Sequence, residues 1–476
     1  MRIYCNFFKF IFRAMALLLA VNGPLSAQEL IAGMSEENIT PPVGFPHYRG
    51  ISTGVHDSLY AKTLYLRQGQ TEMAVVSCDL LWISREVSTR TRLKIASELG
   101  IPFAHVLISG THSHTSPAYD EDILELNEHI RKETPSTEIT NGVEYQDWLC
   151  ERIFLSVRKA QESSKESVLL RNSVNVDSLS YNRRFIMADG RVKTNPGILN
   201  PEAIRTEGPI DPEFNILVVK QESGDLSGGL FNFSNHCDTK GGTEFSADFP
   251  AFISQVLKDK LGNEFISLYG QGACGNLNHV NVRKKEQLTS ESIGVDLASN
   301  VLTNMPNLEN LAGYSLKVES EIVYAPLQHF TEEELQWANQ MHPSDLYGES
   351  EFFQLRRPMK IRSLARIRNN EAIPPTVPSG KWTLPLEVQV FQVNSDVAIV
   401  GLPGEVFVEL GLAIKKGSPF KNTLIIELTN SHIAYVPTRD AFDRGGYETI
   451  NSRLAPGGGE MMVESAIRLL KEIRKN

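Results

Sequence analysis

The stretch Ile108-Ser-Gly-Thr-His-Ser-His-Thr-Ser-Pro117 decides how this chain is read. The run before it, Phe103-Ala-His-Val-Leu-Ile-Ser109, has the apolar character of a buried strand, and Gly110-Thr111 marks its end. In α/β folds the chemistry gathers at strand ends. His112 and His114 follow at once, and alternate residues of a strand share a face, so both could reach one metal or divide between metal and substrate. Taken alone, the pair is as readily two structural histidines as two ligands.

The flanks make this an α/β unit. Residues 59–66 alternate like a strand, 73–81 read as a buried strand with Gly69 in the turn between, and 85–99 show helical spacing that stops at Gly100, a C-terminal cap. Asp79, at a strand end, reads as a hydrogen-bonding partner for loops. Farther along, 121–140 is an acidic surface excursion, 145–164 an amphipathic helix and 168–180 a strand ending in Tyr181-Asn-Arg-Arg-Phe185. Arg183 and Arg184 could bind a carboxylate or phosphate, although adjacent arginines more often pair with a nearby acid.

Strands at 211–219 and 229–234 lead into Asn235-His236, a third histidine at a strand end. Ligands delivered from separate strands are the usual build of a catalytic metal site. Asp248 before Pro250 reads as a helix N-cap. The strand 265–269 ends in Gly270-Gln-Gly-Ala-Cys-Gly-Asn276, a glycine turn without the Lys-Ser/Thr ending of a phosphate loop. A helix at 290–305, a strand at 316–325 and a hairpin of 386–393 with 397–401 lead to Leu402-Pro-Gly-Glu405, whose carboxylate serves either the N-terminus of a helix at 406–414 or a metal. A strand at 423–428, a loop at 431–453 holding Tyr435 and Tyr447, and a helix at 460–473 complete the chain. The fold class is α/β, a mixed central sheet with flanking helices, with the metal site at strand ends and loops.

Composition narrows the function. The first 27 residues run from basic (Arg2, Lys9, Arg13) through Ala14-Met-Ala-Leu-Leu-Leu-Ala-Val21 to Leu25-Ser-Ala27, the order of a signal peptide, so the product is expected to be secreted or periplasmic. The uncharged run is shorter than the ~20 residues of a membrane span, which argues against a transmembrane anchor and leaves peripheral membrane contact open. The formal net charge is −10, and −13 without those three basic residues, with no basic block; nucleic acid is not the expected partner. Residues 28–476 read as a single domain, with a charged, Pro-rich insertion at about 331–382, including Pro374-Pro-Thr-Val-Pro378, overhanging the site. Cys78, Cys150, Cys237 and Cys274 remain after the leader, as disulfides or free thiols.

Gly110-Thr-His-Ser-His114, Asn235-His236 followed by Ser246-Ala-Asp-Phe-Pro250, Leu402-Pro-Gly-Glu405, and Tyr435-Val-Pro-Thr438 followed by Tyr447-Glu448 together resemble the neutral/alkaline non-lysosomal ceramidase family over nearly the whole mature length. The resemblance implies one catalytic Zn2+ held by His112, His236, Glu405 and Tyr435. It places His114 and Tyr447 beside the reacting carbonyl and makes Arg183 the better substrate contact of the two arginines. It implies hydrolysis of a linear amide by a metal-bound water, in the manner of sphingolipid deacylation. Two departures qualify this. The family turn Gln-Ser-Asn-x-Gly-Asp has its serine in the active site; here Gly272 stands at that position and Asn276 at the aspartate. The chain also ends soon after Pro456-Gly-Gly-Gly-Glu460, without the C-terminal β-sandwich domain of many ceramidases. The expectation is therefore a zinc amidohydrolase of ceramidase-like fold, acting on ceramide, another N-acyl lipid or an acylated sugar. A zinc esterase or deacetylase of carbohydrates, or a non-catalytic secreted binding protein, are the alternatives. A metal-dependent phosphoesterase would favour more carboxylate ligands.

Overall fold

Apolar runs that bury both faces of their strands build two sheets here, stacked face to face. The computed structural model describes residues 29–120, 142–341, 352–369 and 382–475. The leader at 1–27, the acidic stretch at 121–140 and the segment 374–378 lie outside the described residues. The larger sheet contains β1 (Ile31–Asn38), β2 (Tyr60–Gln68), β3 (Thr71–Cys78), β4 (Val106–Gly110), β5 (Lys165–Asn175), β6 (Glu213–Gln221), β7 (Leu226–Phe233) and β8 (Ile266–Gln271). Its order is β8-β7-β6-β5-β1-β2-β3-β4. The pairs β3–β4 and β7–β8 are parallel and the remaining neighbours antiparallel, so the sheet is mixed, as the sequence implied.

A second sheet, which the sequence reading did not separate from the first, is ordered β9 (Tyr314–Pro326), β10 (Thr383–Asn394), β11 (Val397–Gly401) and β12 (Asn422–Ile426). Strand alternation decides the layering. Leu64 and Leu66 of β2 join Phe391, Ile399 and Leu424 in the seam between sheets, while Tyr65 faces the other way. On that other face lie α1 (Arg85–Leu99) and α2 (Gly142–Glu162); α3 (Phe249–Leu261) and α4 (Ser290–Asn304) cover β6–β8. The outer face of the second sheet is closed by helices introduced below, so the molecule is helix, sheet, sheet, helix in section. Each fully buried Leu or Ile of the seam contributes about 1.5–3 kcal/mol over exposure. That exceeds any single cap.

Local signals acted as expected. Ser84 accepts from Val87 N to start α1, Gly100 at φ 76° ends it, and the Asp248 carboxylate accepts from Phe249 N to start α3. Asp79 accepts from Tyr60 N at 2.9 Å, the structural role foreseen for it. The described part of 331–382 forms α5 (Glu332–Gln340) and α6 (Phe352–Arg368). After it come α7 (Val408–Gly417), two short helices in the predicted loop, α8 (Arg439–Arg444) and α9 (Tyr447–Asn451), and the closing α10 (Gly458–Lys475). Leu410 and Ile414 of α7 and Ala466 and Leu470 of α10 pack on Val388, Val400 and Ile425. The four cysteines are free thiols, all buried. Among the described residues no helix is long and apolar enough to cross a membrane.

Candidate metal centre

β4 ends against the backbone of Trp82. A Cβ on Gly110 would lie 2.8 Å from Trp82 Cα, so the crossing requires glycine. Beyond it the chain leaves the strand: His112 sits at φ 69°, its N–H bonded to Leu80 O at 2.9 Å. A non-glycine residue in this left-handed region is strained by about 1–3 kcal/mol and persists only when its surroundings hold it there. The two histidines therefore converge through a left-handed turn rather than through strand alternation. His114 Nε2 comes within 3.4 Å of His112 Nε2.

His236, just past the end of β7, meets them, its Nε2 2.9 Å from His112 Nε2. The backbone orients both rings. His112 Nδ1 lies 2.9 Å from Leu81 O and His236 Nδ1 lies 3.1 Å from Cys274 O; a carbonyl can only accept, so each Nδ1 carries a hydrogen and each Nε2 is the atom left to face an ion. Against burial, which lowers it, Glu405 raises His112 above its ordinary range.

Glu405 supplies a third donor from just beyond the second sheet. It follows β11, and Glu405–Val406 pairs in parallel with Tyr435–Val436, which sets those two side chains abreast. The carboxylate lies before α7, which starts at Val408, and it turns to the histidines: Oε2 is 3.3 Å from His112 Nε2 and 3.6 Å from His236 Nε2. Glu405 Oε2 is buried and makes no hydrogen bond of ordinary geometry among the described residues, with His112 its neighbour at 3.3 Å. Burial alone would raise this carboxyl, but His112, His236 and His432 outweigh burial and hold it well below the usual carboxylate range. Burial, Arg183 and His112 keep His236 neutral, and burial with His112 lowers His114 to about 3. Imidazole nitrogens converging with one ionised carboxylate could hold a metal ion. His112, His114 and His236 also lie close enough together to hold an ion by themselves.

The supporting groups include several that the sequence did not disclose. Cys274 Sγ donates to Glu427 Oε1 at 3.0 Å behind His236, and burial pushes Glu427 up to about 8. His432 stacks on Trp82 at 3.6 Å between centroids, with its Nε2 3.9 Å from Glu405. Both follow the β12 strand end, the same signal that singled out His112 and His236. Arg183 and Arg184 do find an acid: Glu448, fully buried, accepts from Arg183 Nε at 3.0 Å and from Arg184 Nη1 at 2.7 Å. Arg183 Nη1 also reaches within 3.4 Å of His236 Nε2. The rings of Tyr435 and Tyr447 stand 5.4 Å apart, with the Arg183 guanidinium 5.4 Å from the first and 6.0 Å from the second. The seven site residues read from the sequence thus lie in one contiguous cluster, linked pair by pair.

No family model and no curated protein matches the sequence. Solved structures do: the neutral ceramidase from Pseudomonas aeruginosa superposes with a TM-score of 0.70 at 16% identity, covering 94% of this chain and 75% of that one. A ceramidase complexed with C2 gives 0.70 at 16% identity over 94% of this chain and 76% of that one.

The chain has the neutral ceramidase fold.

Within this ceramidase-like fold, glycine at position 272 is enforced by packing. A Cβ on Gly272 would lie 2.3 Å from Ser234 Oγ and 2.9 Å from the Phe233 carbonyl carbon. Asn276 is structural: its Oδ1 accepts from Val408 N at 2.9 Å and its Nδ2 donates to Glu409 at 2.8 Å, fastening α7 to the turn. Gly272→Ser is accordingly expected to lower stability by about 1–3 kcal/mol, as overpacking does, and to leave turnover no higher. Urea denaturation and a turnover assay of the variant check both parts.

Proposed function

We propose that this protein is an exported, zinc-dependent hydrolase of N-acyl bonds, with one ion held by His112, His236, Glu405 and Tyr435. The observation that carries the reading is the convergence of the Nε2 atoms of His112 and His236 with the buried Oε2 of Glu405. When bound, zinc supplies a Lewis acid that polarises a carbonyl and lowers the pKa of water.

The chain's own groups do the rest. Tyr447 stays a protonated phenol, because burial raises it above its ordinary range, and it donates to the carbonyl oxygen as charge develops there. His114, neutral at pH 7, can take a proton at a ring nitrogen and return it to the departing nitrogen. Arg183 remains charged, held by Glu448, and fixes Tyr435 and the substrate side of His236. In balance, water adds its oxygen to the acyl carbon, the C–N bond breaks, and the amine leaves with the proton.

The substrate class spans ceramide, other N-acyl lipids and acylated sugars. The Gly272 packing that excludes the family serine favours a substrate other than ceramide. The same feature motivates the rival reading, a secreted binding protein that kept the fold without turnover. Purified protein should carry about one zinc per chain, as in single-ion hydrolases. Stripping it with phenanthroline should abolish cleavage across a panel of N-acylsphingosine, N-acylethanolamine, N-acyl amino acid and acetyl-ester substrates, and zinc should restore it. Undiminished cleavage by stripped protein would overturn the zinc assignment, and no cleavage by loaded protein would favour the binding role.

A further inference from the structure

Glu427 is fully buried just beyond β12, and no step of the hydrolysis proposed above uses it. Both of its carboxyl oxygens are engaged by groups that frame the metal centre. Oε2 accepts from Val406 N at 2.6 Å, on the residue that follows Glu405, and Oε1 accepts from Cys274 Sγ at 3.0 Å. Cys274 in turn presents to His236 Nδ1 its carbonyl oxygen at 3.1 Å and its sulfur at 3.3 Å. One side chain therefore touches both the segment carrying Glu405 and the turn that orients His236. Its own N–H donates to Gln271 O at 2.9 Å, at the end of β8.

The surroundings leave this link little freedom. Gly275 N donates to Val406 O at 2.8 Å, and a Cβ on Gly275 would lie 2.4 Å from Glu405 O, so the turn rests directly on the Glu405 backbone. Gln271 reinforces the other side, its Nε2 donating to Asn235 O at 2.9 Å, next to His236. A carboxyl group is costly to bury, and the partners of this one are N–H and S–H hydrogens rather than a lysine or arginine. An apolar side chain of the same size would avoid that cost. It could not supply an acceptor shared by two donors that lie beyond different sheets. Hydrogen bonds made behind metal ligands fix where the ligands point, and losing them weakens metal binding.

We propose that Glu427 is a positioning residue of the metal centre, holding Glu405 through the Val406 N–H and His236 through Cys274 so that the two keep their spacing before an ion binds. In taking the ion to be held by these two residues, this rests on the zinc reading above. Glu427 acts through its neighbours rather than on the ion.

The test reads metal binding rather than turnover. Metal-stripped wild type, Glu427→Met, Glu427→Gln and Cys274→Ala are titrated with zinc against a chelating dye, and the visible spectrum of each cobalt-loaded form is recorded. Glu427→Met keeps the size and removes both acceptors. It should bind zinc about 10–100-fold more weakly, the cost of losing a group behind a ligand, with a shifted cobalt spectrum. Glu427→Gln keeps an oxygen for Val406 N and should recover most of the affinity. A purely structural role would lower the urea midpoint of Glu427→Met and leave its zinc affinity at the wild-type value, and that result would overturn the proposal. Should Glu427→Met fail to fold, Cys274→Ala decides in its place. It removes the thiol and keeps the carbonyl, and wild-type affinity with an unchanged spectrum would overturn the proposal equally. Wild type that takes up neither ion would remove the zinc reading, and this one with it.

Discussion

Replacing His236 by alanine should empty the centre of zinc and reduce hydrolysis by more than about 100-fold, beyond the ~10–100-fold that loss of a group merely orienting a ligand costs. The ring is fixed at both nitrogens: Nδ1 is tied to Cys274 O, and Nε2 faces His112 Nε2 at 2.9 Å and Glu405 Oε2 at 3.6 Å. Arg183, at 3.4 Å from Nε2, is a cation and cannot donate a lone pair in its place. Elemental analysis of the variant and the panel assay measure the two effects. Full zinc occupancy with wild-type turnover would remove His236 from the ligand set and leave His112, His114 and Glu405 to account for the centre.

The largest effect on stability is expected at a residue outside the ligand set. Glu448→Gln should destabilise by about 3–5 kcal/mol, the range for breaking a buried ion pair from one side. Both carboxylate oxygens are used: Oε1 by Arg183, Oε2 by Arg184 at 2.7 Å and Thr194 Oγ1 at 2.8 Å. Arg184 would keep its ion pair with Glu207, but Arg183 would lose its ion pair and keep the Gly275 carbonyl, at 2.7 Å, its contact with Tyr435 and the attraction of Glu405. A buried guanidinium would then be left without the carboxylate that pairs it. A urea midpoint shift at unchanged m-value measures the loss. A change below about 1 kcal/mol would mean that the two arginines are adequately solvated without the carboxylate.

Much of this architecture could be read from the chain because strands and site share one signal. An apolar run that stops at Gly or Asn and delivers a histidine marked both β4 and β7 and, with them, His112 and His236. Helices α1 and α3 were legible through Gly100 and Asp248, whose capping chemistry is local. What escaped was nonlocal. β10 and β11 are buried on both faces, so their apolar pattern does not say which sheet they join or that a seam lies between two sheets. The left-handed turn at His112 was invisible for a related reason, since only the fit against Leu80 and Leu81 stabilises it. Glu427, His432 and Glu448 were passed over because a strand-end or loop residue acquires a role from what lies opposite, and no spacing in the sequence records that. The family resemblance identified Tyr435 and Tyr447, which periodicity alone would have left as packing.

The donors come from different sheets. His112 and His236 extend the larger sheet, whereas Glu405 and Tyr435 belong to the crossover beyond the smaller one. An ion bound by both would act as a clasp across the seam, so its affinity would be part of the free energy that holds the two halves of the sandwich together. At a free concentration a thousandfold above its dissociation constant, such an ion adds about 4.1 kcal/mol to folding. Metal supply in the surrounding medium would then set how long the molecule survives as well as how fast it works.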